Sequence, residues 1–347
     1  MSLRRSLLAC IVVLMFVGLA SSVSTVRPAF ADDIQGAGST FVAPIIEKWS
    51  DDYAKISGVK VVYQSVGSGA GIKQIQSGDV DFGATDKPLP PDELEKVGLC
   101  QFPIVIGGIV PVVNLPGVES GQIKFSRKLI ADIYLGVLTS WDAPEIKAVN
   151  PGLQLPAIAI SVVHRSDGSG TTYNWVDFLA KASAAWKEKV GVGLSVNWPV
   201  GVGGDGNAGV AAAVTATPGA IGYVEYAYAV QNKLSFGQVE NAHGLFVSPT
   251  PETFQAAAST VDWRDFKDFS VLMTDAGGPD AFPITATTFI LMYKSPKDSV
   301  RSAATLAFFK WALEDGEVQA SDLHYVAIPP RLTKLIKAYW ASEIASR

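Results

Sequence analysis

The chain reads as an α/β protein, on three observations. Short β-rich runs at 59–66, 102–113, 158–163 and 288–293 alternate with helix-like patterns at 44–57, 72–77, 129–135, 171–182, 208–215 and 303–315. Such alternation marks α/β units around buried, largely parallel strands. The 347 residues are 48% hydrophobic and 18% charged, too apolar for a disordered chain and too poor in charge for a coiled coil. That length suggests two domains of ordinary size. No fixed-period repeat or Gly/Ser tether separates them, so two lobes would be joined by ordered crossings.

At the N-terminus, Arg4 and Arg5 precede an apolar stretch at 7–19, and a looser segment ends in Ala29-Phe30-Ala31 before Asp32-Asp33. The pattern predicts a secretory signal peptide over 1–31, cleaved after Ala31. A membrane anchor needs about 20 apolar residues, more than this stretch supplies. Almost nothing hydrophobic precedes Cys10, which argues against a lipid anchor there, and the flanks of Arg4-Arg5 fit twin-arginine export poorly. Cleavage removes Arg4, Arg5 and Arg27 and no acid, taking the formal charge from −5 to −8 over the remaining 316 residues. An acidic protein does not bind nucleic acid or anionic membranes through its bulk field. Cleavage would also leave Cys100 alone in an oxidising compartment. Its apolar context at 98–103 predicts a buried, inert thiol and no intramolecular disulfide. Two cysteines and three scattered histidines argue against a structural zinc site. The run at 104–113 is too short for a membrane span, contains Gly107-Gly108 and Pro111, and reads as a buried strand.

Three glycine-serine turns open helical patterns: Gly36-Ala37-Gly38-Ser39-Thr40-Phe41, Gly67-Ser68-Gly69-Ala70-Gly71, and Arg165-Ser166-Asp167-Gly168-Ser169-Gly170-Thr171-Thr172. Each offers backbone N–H groups and hydroxyls at the positive end of a helix dipole, which is the chemistry of an anion pocket. Any one alone is explained as a helix cap; three together, one carrying an arginine, point to a site. Arg165 supplies a planar, always-charged fork, and Asp167 could orient it. Asp86, in Asp81-Phe82-Gly83-Ala84-Thr85-Asp86-Lys87-Pro88, is by itself an ordinary turn aspartate.

Enzyme signatures are weaker. Gly201-Val202-Gly203-Gly204-Asp205-Gly206, with Glu225 about twenty residues on, matches a dinucleotide fingerprint. In an exported chain with 32 glycines it reads as a tight loop before a helix, and no cofactor is expected. There is no Walker sequence and no G-x-S-x-G elbow. His164, Asp167 and Ser169 lie too close in sequence for a catalytic triad.

The three turns, together with Asp81–Asp86, 102–108, 218–226 and Pro283-Ile284-Thr285, resemble the periplasmic phosphate-binding proteins of phosphate-specific ABC transporters over nearly the whole chain after residue 31. The resemblance implies a class II periplasmic binding protein fold, two α/β lobes with a ligand cleft between them. Lobe I would comprise 32–110 and 283–347, and lobe II 111–282. It implies phosphate held by Thr40, Phe41, Ser68, Asp86, Arg165, Ser169, Gly170 and Thr171, with Asp167 supporting Arg165 and Asp86 acting as acceptor. Val42 and Cys100 depart from the family pattern, as do His164 and Lys87 beside the site, where a cation next to Asp86 would alter the local field. The expected protein is a periplasmic monomer without catalysis or metal, whose partners are inorganic phosphate and the permease subunits. The alternatives are a receptor for another oxyanion such as sulfate and, in a different class, a secreted phosphate-ester hydrolase.

Overall fold

The structure is a computed structural model describing residues 33–344; the expected signal peptide lies outside the described residues. The chain opens with β1 (Ile34–Gly38), α1 (Ala43–Ser57), β2 (Val61–Ser65), α2 (Ser68–Ser77) and β3 (Phe82–Thr85), and later enters the long strand β4 (Leu99–Val113). One ten-stranded sheet runs in the order β2, β1, β3, Thr285–Tyr293, β4, Ala220–Glu225, Ser161–Arg165, Val202–Gly204; Val326–Ala327 and Ser235–Phe236 also pair with β4.

β4 changes partner along its length. Leu99 to Gly108 pair with Thr285–Tyr293, whereas Ile109 to Val113 pair with Ala220–Glu225. The change falls at Gly107-Gly108, where side chains do not fit: a Cβ at Gly108 would lie 2.2 Å from the Phe254 ring. Pro103, which cannot donate to a ladder, sits where the register slips between Thr288 and Phe289.

Strand direction corrects the expectation of largely parallel pairing. Parallel pairs occupy the two wings, β1 with β2 and β3, and Ser161–Arg165 with Ala220–Glu225 and Val202–Gly204. The centre is antiparallel, because Thr285–Tyr293 runs against both β3 and β4, and β4 against Ala220–Glu225. All fifteen residues of β4 are buried. A strand covered on both faces is a continuous apolar run whichever way its neighbours point, so its pattern carries no direction.

The expected helices form with shifts of a few residues: Gly170–Ala182, Gly206–Ala216 and Ser299–Glu314 correspond to the patterns at 171–182, 208–215 and 303–315. The Gly201–Gly206 loop is instead a short strand, Val202–Gly204, running straight into a helix. Edge-on contacts of Phe309 with Phe82 and Phe102, and of Phe102 with Trp340, pin the helices Ser299–Glu314 and Pro330–Glu343 to the sheet at centroid distances of 4.9–5.7 Å. Each pair contributes about 0.5–1.5 kcal/mol beyond its buried area. Among the described residues no helix is long and apolar enough to cross a membrane.

Candidate anion-binding site

The three glycine-serine turns come together at one cleft. Thr40 follows β1, Ser68 opens α2 and Asp86 follows β3; Arg165 ends its strand and Ser169 to Thr171 open the facing helix. All are buried, Thr40 at 5% exposure. The approach is close: a Cβ at Gly170 would lie 2.5 Å from Ser68 Oγ and 2.7 Å from the Asp86 backbone nitrogen. Further bonds cross the cleft. Gly69 N–H donates to Gly168 O at 2.8 Å, Asn174 Nδ2 to Asp86 O at 2.8 Å, and Tyr228 Oη to Thr40 O at 2.8 Å.

Capping accounts for only one of the turns. Ser169 Oγ accepts from Thr172 N at 3.0 Å, but at α1 and α2 the N-cap residues are Val42 and Gly67, with no side-chain cap. First-turn N–H groups have no intrahelical partner, which leaves those of Ser68, Gly170 and Thr171 as donors beside the turns. The Ser169 N–H is engaged with Leu194 O at 2.9 Å, and the Phe41 N–H meets Ser39 Oγ at 3.0 Å.

Arg165 and Asp167 form the expected fork. Arg165 Nε donates to Asp167 Oδ1 at 2.6 Å and Nη2 to Oδ2 at 2.5 Å. Arg165 Nη1 is buried without a partner. Burial raises the Asp167 carboxyl, but the bonds from Arg165 and its charge outweigh that, and Asp167 lies below the usual carboxylate range.

Asp86 is a buried carboxylate clamped by two hydroxyls. Thr288 Oγ1 donates to Oδ1 at 2.6 Å and Ser39 Oγ to Oδ2 at 2.7 Å. Burial pushes its pKa up to about 6, opposed by these bonds and by Arg165. Its N–H donates to Ser68 Oγ at 3.2 Å, which fixes that hydroxyl beside it.

The basic neighbours have contacts of their own. The Lys87 ammonium lies over the Tyr173 ring, 5.8 Å from its centroid. His164 stacks on Trp198 at 4.7 Å, with Nδ1 3.0 Å from Arg165 O. Cys100 is buried and free, its thiol pushed up to about 12 by desolvation.

Sequence reasoning missed the residues that hold the site from a distance. Thr288 comes from the antiparallel strand and clamps Asp86. Tyr325 Oη donates to Phe41 O at 2.7 Å and lies 3.1 Å from Glu225 Oε2. Asn207 Nδ2 donates to Thr40 Oγ1 at 2.8 Å. The one available signal was the glycine run at 201–206, which delivers Asn207 into the cleft.

Residues 23–315 match the PBP superfamily domain. That match and the two-lobed mixed sheet closing over a polar cleft define the class, a type II periplasmic binding protein. The phosphate-binding protein PstS of Xylella fastidiosa (strain Temecula1) is 52% identical over 94% of this chain and 91% of its own length. That of Pasteurella multocida is 47% identical over 91% of this chain and 92% of its own. The chain belongs to the PstS family of phosphate-binding proteins. The solved structure of a human phosphate binding apolipoprotein superposes with a TM-score of 0.71 at 20% identity, covering 88% of this chain and 94% of that one, which speaks for the fold.

Proposed function

We propose that the protein binds inorganic phosphate in this cleft and delivers it to the permease subunits of an ABC importer, acting as a periplasmic monomer released by cleavage after Ala31. The observation that carries the reading is the pairing of an unpartnered guanidinium nitrogen, Arg165 Nη1, with a buried carboxylate, Asp86. A cation and an acceptor in one closed cleft suit an anion that keeps a proton. Phosphate near neutral pH carries at least one P–OH to donate to Asp86, whereas sulfate has none. Thr40, Ser68, Gly170 and Thr171 would supply N–H or hydroxyl donors, with the Phe41 N–H shared between Ser39 Oγ and the anion, and the Ser169 hydroxyl donating while its oxygen caps the helix. In this reading lobe I is 32–110 with 283–347, lobe II is 111–282, and β4 is one of the crossings. The hydrolase alternative has less to draw on: the Ser169 oxygen serves as a helix cap, and the His164 ring is held by Trp198 and the backbone.

The test is calorimetric titration with phosphate, then sulfate, after stripping bound ligand. The expected dissociation constant is about 1 μM or tighter, near −8 kcal/mol. Silence with phosphate would sink the proposal, as would hydrolysis of a generic phosphate ester. N-terminal sequencing of the exported protein should begin at Asp32.

A further inference from the structure

We propose that Asn207 is a positioning residue for the anion, orienting the hydroxyls of Thr40 and Thr171 so that their protons face the ligand. The inference rests on the phosphate reading above.

Every hydrogen-bonding group of this side chain is committed. Its Oδ1 accepts from Glu225 N at 2.9 Å, which forces the Nδ2 group toward the cleft. Nδ2 then donates to Thr40 Oγ1 at 2.8 Å and to Thr171 Oγ1 at 3.3 Å, and the Asn207 backbone N–H adds a second bond to Thr40 Oγ1 at 3.2 Å. A threonine hydroxyl has two acceptor positions and one proton. Asn207 fills both acceptor positions on Thr40, so that hydroxyl can act toward a ligand only as a donor. Thr171 is biased the same way by its single bond. An anion accepts and cannot donate except through its own P–OH, so two hydroxyls held as donors suit it, and freely rotating ones would first have to be ordered.

Asn207 is itself held in place. It is buried, and it lies in the first turn of Gly206–Ala216, directly after the Gly201–Gly206 run that resembles a dinucleotide loop. Gly206, at φ 65° and beside the Thr40 methyl, lets the chain turn there so that Asn207 reaches the facing lobe. The glycine run thus serves the anion site without holding a nucleotide.

The test is a double-mutant cycle read by phosphate titration: wild type, Asn207→Ala, Thr40→Val and the double variant. Asn207→Ala should weaken binding about 10- to 100-fold when Thr40 is intact and less than about threefold when it is added to Thr40→Val. Thermal unfolding without ligand monitors folding, and Asn207→Leu, of similar volume and with no donor or acceptor of its own, serves in the same cycle if Asn207→Ala unfolds. An equal loss in both backgrounds, or no loss in either, would overturn the assignment while leaving the phosphate reading intact. Absence of phosphate binding to wild type would instead overturn the reading on which it rests.

Discussion

Replacing Asp86 by asparagine should open the site to sulfate. Each Asp86 oxygen already receives one hydroxyl, from Thr288 at 2.6 Å and Ser39 at 2.7 Å, and the side chain is 1% exposed. A bare sulfate oxygen brought against this carboxylate would place two acceptors together with no proton between them and no water to intervene. An unmet buried polar group costs about 1–3 kcal/mol and more when charged. At about 3 kcal/mol the exclusion is roughly 150-fold, since each 1.4 kcal/mol is a factor of ten. The amide of Asp86→Asn can donate to sulfate through Nδ2 while Oδ1 keeps one hydroxyl, and the other hydroxyl reverses its rotor. Sulfate affinity should therefore rise about 30- to 150-fold. Phosphate affinity should fall only several-fold, because the amide oxygen still accepts. The assay is calorimetric titration of both proteins with sulfate and with phosphate at one pH in a chloride buffer. Sulfate binding equally undetectable in both would show that selectivity resides elsewhere in the cleft.

The same substitution should leave a signature in stability without ligand. The folded-state pKa of Asp86 is raised, about 6 against 3.8, so its contribution is present below about pH 4 and lost as pH rises through 6, a span worth about 3 kcal/mol. Asp86→Asn should thus be more stable than wild type at pH 7, with the gap closing by pH 4; urea melts in phosphate-free buffer giving the same gap at both would refute this. Arg165→Ala should weaken phosphate binding at least about 100-fold, since it strips the cleft of its firmly placed cation and leaves the partly buried Asp167 unpaired. An affinity within a few-fold of wild type would remove Arg165 from the site. Arg165→Lys should recover little, because an ammonium cannot grip both Asp167 oxygens and still reach the anion. Gly108→Ala should destabilise by about 1–3 kcal/mol through its clash with the Phe254 ring, measurable by urea unfolding and partly recovered by adding Phe254→Leu. Native Cys100 should resist thiol reagents until the protein unfolds, as its burial and raised pKa require.

What the sequence determined by itself was local. The glycine-serine turns open their helices where expected, because the residues that free and orient a first turn lie within a few positions of it. The Arg165–Asp167 fork was legible for the same reason: both ends belong to one short segment. The tertiary structure decided the rest. β4 and nearly all of Thr285–Tyr293 are buried whichever way their side chains point, so nothing in their pattern says that they run antiparallel or that β4 changes partner at Gly108. Nor could spacing place Thr288 on Asp86, 202 residues away, or Asn207 on Thr40, 167 residues away. A threonine in a strand and an asparagine after a glycine run are ordinary in any local window. They become parts of a site only when the sheet carries them to the cleft, because a hydrogen bond depends on separation in space and leaves no periodic trace along the chain.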